Sequence, residues 1–219
     1  MKDKHTLPWK NEAHLWEMAF RPEDLDYLLP EEKERYLRIQ NEEVQSGFVI
    51  SQGGLRRVLA SYRGCAPGEV SLLRGTYGKP SVAGGPEFNL SHTVGKTFLL
   101  VAHDEVGLDV ESAHRCTMAE DIAGKFFFPE ERALFEGLST EAKNSLLLRL
   151  WVCKEAMVKL SGEGIYHGLR HARVIMTEDG PEGEYRGGSV HLQEFTPAEG
   201  FLAAAASWEK LEVKCFLQG

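Results

Sequence analysis

The stretch from Thr140 to Leu160 constrains this chain more than any other, because it reads as a helix that is apolar on nearly every side. Leu146, Leu150, Cys153, Met157 and Leu160 recur at helical spacing and form one stripe, while Leu147, Leu148 and Trp151 lie on the other side. Ser139 supplies an N-cap and Gly162 a C-terminal stop. A helix of this kind is buried, so the fold must wrap other elements around it. At about 100° per residue Glu155 falls opposite the centre of the stripe, and Lys159 lies one turn further on. As an i,i+4 pair they could do no more than stabilise the helix by a few tenths of a kcal/mol. On an inner wall, however, Lys154, Glu155 and Lys159 need partners, and a phosphate with its metal would supply them.

A chain of 219 residues that is 42% hydrophobic makes one large domain or two small ones. With 25 Lys and Arg against 33 Asp and Glu, the formal net charge of −8 is the reverse of a duplex nucleic-acid binder's balance. A local basic pocket remains compatible with it. The longest apolar stretches, such as Phe201 to Trp208, fall well short of the roughly 20 residues needed to span a bilayer. Met1 to Trp9 has no apolar core of a secretion signal, so the expected compartment is the cytoplasm. Cys65, Cys116, Cys153 and Cys215 are widely spaced with no CxxC, which fits reduced thiols there. His167 and His171 would suit a zinc pair only on a helix, and Gly164 and Gly168 argue against one.

Three further helix starts share a proline followed by acids: Pro22-Glu23-Asp24, Pro30-Glu31-Glu32 and Pro129-Glu130-Glu131. Proline loses nothing at the first helical position, and carboxylates there meet the positive end of the helix dipole. Helices are expected over Glu31 to Gln40, Glu42 to Tyr62 and Pro129 to Gly137. Strands are expected over Thr97 to Ala102, Val106 to Val110, Ala172 to Thr177, Ser189 to Phe195, Phe201 to Ser207 and Val213 to Leu217, with His103-Asp104-Glu105 as a hairpin turn. Each half then reads as helix followed by a strand cluster.

Two more clusters carry chemistry. In Val106-Gly107-Leu108-Asp109-Val110-Glu111, strand alternation sends Asp109 and Glu111 to one face and Leu108 and Val110 to the core. Two adjacent carboxylates repel unless a cation or proton intervenes, and a hard divalent ion bound with a substrate phosphate would do so. Two acids on a solvated strand face would give the same pattern. Tyr77-Gly78-Lys79-Pro80 and Phe88-Asn89-Leu90-Ser91-His92-Thr93 bring a permissive glycine, a point charge and donors suited to phosphate oxygens, although an ordinary turn entering a strand would look alike. There is no GxxxxGK[ST] loop, and Ser91-His92 with Asp109 lacks the GxSxG elbow of a hydrolase.

The order GKP, FNLSH, VGLDVE, FFFPEE and WVCKEAMVKLSGEGI, running from Tyr77 to Ile165, resembles the 4′-phosphopantetheinyl transferases of the long, surfactin-synthetase-activating type. The resemblance implies an α+β fold of two similar halves, each a helix packed on a small, mostly antiparallel sheet and related by a pseudo-two-fold. The halves would be residues 1–105, on the adenine and phosphate side, and 106–219, carrying the metal ligands and the catalytic helix. It implies a monomeric enzyme, a holo-[acyl-carrier-protein] synthase, that moves 4′-phosphopantetheine from coenzyme A to a serine of an apo acyl or peptidyl carrier protein and releases adenosine 3′,5′-bisphosphate.

Position by position, the resemblance makes Asp109, Glu111 and Glu155 the ligands of Mg²⁺, or of Mn²⁺ in its place. Lys159 would contact the CoA phosphates. Gly78, Lys79 and Pro80 would lie by the adenine nucleotide, Ser91 and His92 at the phosphates, and Arg35 at the 3′-phosphate. Glu32 stands where a second basic residue is expected, with Lys33, Arg38 or Arg56 as substitutes. Glu131 is the glutamate offered as the base, with water at the metal as the alternative. Catalysis would rest on Glu131, Glu155 and Lys159. The partners are CoA and a carrier protein, with neither nucleic acid nor membrane. Two rival readings are a non-catalytic CoA- or carrier-binding adaptor of the same fold and a Mg²⁺-dependent nucleotide phosphohydrolase. Because carriers are often acidic, docking to this acidic chain should rely on an apolar or locally basic patch, with modest salt dependence.

Overall fold

The computed structural model describes residues 6–113 and 120–216, apart from the side chains of 120–122 and 215–216. Eleven strands occur among the described residues. Their order is β1 (Glu12–Met18), β2 (Leu72–Arg74), β3 (Pro80–Val82), β4 (Glu87–Thr93), β5 (Lys96–Ala102), β6 (Val106–Ser112), β7 (Ala172–Thr177), β8 (Gly180–Tyr185), β9 (Gly188–Phe195), β10 (Phe201–Ser207) and β11 (Glu212–Phe216). The helices are α1 (Pro30–Arg38), α2 (Glu42–Val49), α3 (Leu55–Arg63), α4 (Glu120–Phe126), α5 (Pro129–Ala133), α6 (Thr140–Ser161) and α7 (Ile165–Gly168).

One sheet has the order β11-β1-β5-β4 and a second β6-β10-β9-β8-β7, while β2 and β3 form a small pair. All pairings are antiparallel except β1 with β11. The two halves share a topology: β5 sits between β1 and β4 as β10 sits between β6 and β9. The α+β class and the duplicated, mostly antiparallel design are those the resemblance implied.

Strand alternation builds four layers. Leu99 and Val101 of β5 face α3, where Leu55, Val58 and Leu59 complete one core. Phe98 and Leu100 face the other way and meet Leu108 and Val110 of β6 and Ala203 and Ala205 of β10. Ala204 and Ala206 then turn to α6, whose Leu150, Val152, Met157 and Leu160 fill the third core. The order is therefore helix, sheet, sheet, helix, and α6 is buried along most of its length, as its composition requires. Ser139 caps its start through the Ala142 amide, and Gly162 ends it at φ 70°.

Two expectations need correction. His103-Asp104-Glu105 is no hairpin turn: β5 and β6 belong to different sheets, and the chain crosses between layers there. The hairpin partner of β5 is β4, through Gly95 at φ 66°. Of the expected halves 1–105 and 106–219, the second contributes β11 to the first sheet, beside β1. Gly164 and Gly168 do not prevent helix, because Ile165–Gly168 forms a single turn; His167 in it packs against Tyr77, while His171 lies beyond its end and packs against Tyr185, so the two histidines do not share a helix.

The stretch expected as one helix from Glu42 to Tyr62 is continuous but contains a π-helical segment, Ile50–Gly54. At Gly53 a Cβ would fall 1.9 Å from the Asp24 carbonyl oxygen, so the wider turn accommodates the Pro22–Tyr27 3₁₀ segment. Cys65 and Cys153 are free thiols, while Cys116 and the side chain of Cys215 lie outside what is described. Among the described residues no helix is long and apolar enough to cross a membrane.

Candidate active site

The site lies where β4, β6 and α6 meet. Gly107 is what brings them so close, since a Cβ there would fall 1.9 Å from the Ala156 carbonyl oxygen and 2.5 Å from the Leu160 nitrogen. With α6 pressed onto β6, the next two residues on the same strand face, Asp109 and Glu111, lie beside the helical pair Glu155 and Lys159. All three carboxylates are nearly buried, Asp109 at 3%, Glu111 at 6% and Glu155 at 9% exposure, which removes the solvated-strand reading of the Asp109-Glu111 pattern.

The edges of the two sheets are joined by side chains rather than by a ladder. Asn89 Oδ1 accepts the Leu108 amide at 2.9 Å, and Ser91 Oγ accepts the Val110 amide at 3.0 Å. Ser91 also donates to Asp109 Oδ1 at 3.2 Å, and Thr93 Oγ1 donates to Glu111 Oε2 at 3.3 Å. Asn89, Ser91 and Thr93 share one face of β4 and serve the strand that bears the acids. Sequence reasoning did not identify Asn89 or Thr93, although the polar alternation N-x-S-x-T was a usable signal.

Lys159 Nζ lies 2.5 Å from Asp109 Oδ1, 3.2 Å from Ser91 Oγ and 3.9 Å from Glu155 Oε2. Asp109 Oδ2, by contrast, is buried with no hydrogen-bond partner. A buried carboxylate oxygen without a donor, flanked by two more carboxylates, is the donor chemistry a hard divalent ion takes. Among the described residues no three such groups stand close enough to form a ready cage, so the donors fit Mg²⁺ in kind and need adjustment in position.

On the opposite face of β4, His92 opens onto a cavity of about 460 Å³ that Arg35, Phe48, Ser51 and Lys96 also line. Arg35 stacks its guanidinium over Phe48 at 5.1 Å. His92 Nδ1 meets Thr97 Oγ1 at 2.9 Å. Burial pushes the His92 pKa below its ordinary value, and the Lys159 charge adds to that shift. Arg35 and His92, both expected at phosphates, thus share one cavity.

Four expected roles meet a different environment. Ser91 is buried and already committed to Asp109, Val110 and Lys159, so it supports the acidic wall. Lys79 Nζ donates to the carbonyls of Leu160 at 2.9 Å and Val106 at 3.2 Å, fastening the end of α6 to the start of β6. Burial lowers its pKa, against the pull of Glu105 and Glu87. Gly78, at φ 88°, lies in the turn that delivers it, and Pro80 opens β3.

Glu131 is 1% exposed and tied up on both oxygens: Oε1 accepts the Val174 amide at 2.7 Å, and Oε2 accepts the Phe128 amide at 2.7 Å and meets Lys154 Nζ at 2.8 Å. Lys154 is itself fully buried between Phe127 and Phe128 and donates to the Ala172 carbonyl. Lys154 therefore finds its partner in the core of the second half, where Glu131 and Lys154 form a buried ion pair. Glu32 is likewise neutralised by buried Arg56, at 2.7 and 2.9 Å, which removes Arg56 as a phosphate ligand. Arg38 pairs with Glu34 on the surface, leaving Lys33 and Arg35 as the exposed bases of α1 that no described acid pairs with.

Residues 105–206 match the family described as the 4′-phosphopantetheinyl transferase superfamily. The 4′-phosphopantetheinyl transferase HetI of Nostoc is 31% identical over 208 residues, covering 90% of this chain and 87% of that protein. The chain belongs to the 4′-phosphopantetheinyl transferase superfamily. The transferase Sfp of Bacillus subtilis strain 168 is 22% identical over 158 residues, covering 71% of this chain and 70% of that protein. A crystal structure of a holo-(acyl-carrier-protein) synthase from Bacillus anthracis in complex with CoA (3′,5′-ADP) aligns at a TM-score of 0.41 and 21% identity, over 47% of this chain and 92% of that one.

Proposed function

We propose that the chain performs the transfer at the wall formed by β4, β6 and α6. The enzyme is a 4′-phosphopantetheinyl transferase, moving phosphopantetheine from CoA to a carrier protein. The observation that carries the site assignment is the buried acidic wall, Asp109, Glu111 and Glu155, with the unsatisfied Asp109 Oδ2 and the Lys159 ammonium beside it. A wall so acidic can accept a pyrophosphate only with cations present. Mg²⁺ bound by Asp109, Glu111 and Glu155 would neutralise charge on the pyrophosphate. Lys159 then stabilises negative charge developing on the leaving 3′,5′-ADP, and Arg35 and His92 hold phosphate in the neighbouring cavity. With Glu131 committed to Lys154, Glu111 and Glu155 are the carboxylates at the wall that can take the proton of the incoming serine. The nucleophile is the carrier's own hydroxyl, so no internal serine, histidine and acid triad is required. The enzyme is read as acting alone, as a monomer.

Incubation with CoA, Mg²⁺ and a panel of apo carriers should raise the mass of at least one carrier by a single phosphopantetheine arm, with release of adenosine 3′,5′-bisphosphate. Nucleotide release without any carrier would point instead to hydrolysis, and CoA binding with no mass gain on any carrier to an adaptor.

The depressed pKa of His92 adds a pH signature. The imidazole is neutral at pH 7, and a bound phosphate raises its pKa, so CoA binding takes up a proton. Affinity should therefore strengthen as pH falls from 8 through the bound-state pKa and level off below the unliganded one, by about tenfold for each unit between the two. Calorimetric titration of CoA into the wild type and His92→Gln checks this, because the phosphate's own titration is common to both. A parallel pH profile in the two proteins would remove His92 from the phosphate site.

A further inference from the structure

In the structure the cation seated on the acidic wall is part of the chain itself. Lys159 Nζ meets Asp109 Oδ1 at 2.5 Å and lies 3.9 Å from Glu155 Oε2, so one ammonium bridges two of the three carboxylates assigned to the metal. Its side chain remains 24% exposed, on a flexible four-carbon stem, whereas that of Asp109 is only 4% exposed. The lysine can swing; the carboxylate, pinned by Ser91, cannot. Asp109, Glu111 and Glu155 carry a formal −3, which Lys159 reduces to −2. A divalent ion approaching that wall must displace the ammonium from Asp109 or share the carboxylate with it, and like charges at that separation disfavour sharing.

We propose that Lys159 is an exchangeable internal counter-ion, which holds the acidic wall together and blocks Mg²⁺ until a pyrophosphate draws the ammonium away. The idea rests on the transferase reading above and adds an order to it: metal and CoA load together, and neither binds well alone. The pyrophosphate offers Lys159 a stronger partner than Asp109, and the swing that makes this contact frees Asp109 Oδ1 for the metal. By linkage, CoA must then tighten Mg²⁺ by the same factor as Mg²⁺ tightens CoA. The Lys159 stem thus couples two binding events within one site, with no change in fold.

The test is calorimetric titration of Mg²⁺ alone into the wild type, Lys159→Met and Lys159→Arg, repeated with saturating CoA and no carrier. Lys159→Met should bind Mg²⁺ without CoA about tenfold or more tightly than the wild type, and Lys159→Arg, which keeps the charge, should stay near the wild type. Adding CoA should tighten Mg²⁺ about tenfold in the wild type and much less in Lys159→Met. Mg²⁺ should also raise the melting temperature of Lys159→Met more than that of the wild type, which shows that the variant is folded and carries the site. Equal Mg²⁺ affinities for the wild type and Lys159→Met in the absence of CoA, or an undiminished CoA effect in the variant, would overturn the exchange while leaving the transferase reading intact. Wild-type transfer by an Asp109→Asn protein would instead sink the metal assignment, and the exchange with it.

Discussion

Asp109→Asn is expected to lower phosphopantetheine transfer by about three orders of magnitude, on the order of 4 kcal/mol, in a protein that still folds. Asparagine keeps the Oδ1 acceptor that Ser91 and Lys159 use, and it fits the same 3% exposed space. What it removes is the charge, and with it the reason for a divalent ion to rest against an otherwise unpartnered Oδ2. The loss should fall on kcat more than on the KM for the carrier, because the carrier does not depend on this carboxylate for docking. Mass spectrometry of the carrier reads the activity, and thermal melting reads the fold. A melting temperature within a few degrees of the wild type, with activity gone, is the expected pair of results. Retained activity would remove Asp109 from the chemistry.

How much of this site could be read from the sequence depends on whether the decisive partner is near in sequence. The shared face of Asp109 and Glu111 follows from strand alternation alone, and the buried wall of α6 from its leucines on every side. The caps at Ser139 and Gly162 are likewise local, and α6 follows them to within a residue. Strand β4 was harder. Asn89, Ser91 and Thr93 make it look like a polar turn, yet those side chains face another strand's edge 18 or 19 residues on. Strand β1, with glutamates among its hydrophobic residues, is stabilised by β5 and β11, and its pairing with the far end of the chain leaves no local trace. The turn at residues 103–105 shows the same limit, since two adjacent strand-like runs imply a reversal but do not say which sheet each joins.

The same limit explains Glu131. A glutamate two residues after a helix-starting proline, in a family resemblance, suggests a base, but its partner Lys154 comes from the middle of α6. That lysine stood beside Glu155 in the sequence and seemed to belong to the same wall. Helical geometry separates them: neighbouring residues point about 100° apart, so Lys154 enters the third core and Glu155 the site. The resemblance carries over a residue type, and in the structure that residue lies against a buried ammonium.

Glu131→Gln should therefore destabilise the protein by about 3–5 kcal/mol, because it leaves a fully buried Lys154 without its counter-charge. For a chain of this size that is a fall of roughly 10 °C in melting temperature. Lys154→Met should cost a similar amount for the converse reason, an uncompensated carboxylate. The double variant should recover part of the loss, since methionine removes the buried charge and fills the space between Phe127 and Phe128, while glutamine keeps an acceptor for only one of the Phe128 and Val174 amides. Denaturant unfolding of the four proteins gives the coupling energy directly. Activity separates the two roles of Glu131. As a structural partner, it predicts that Glu131→Gln, assayed cold enough to be folded, transfers at a rate within a few-fold of the wild type and that the double variant does too. As a base, it predicts a loss of several hundredfold at any temperature, with stability untouched and no rescue from Lys154→Met.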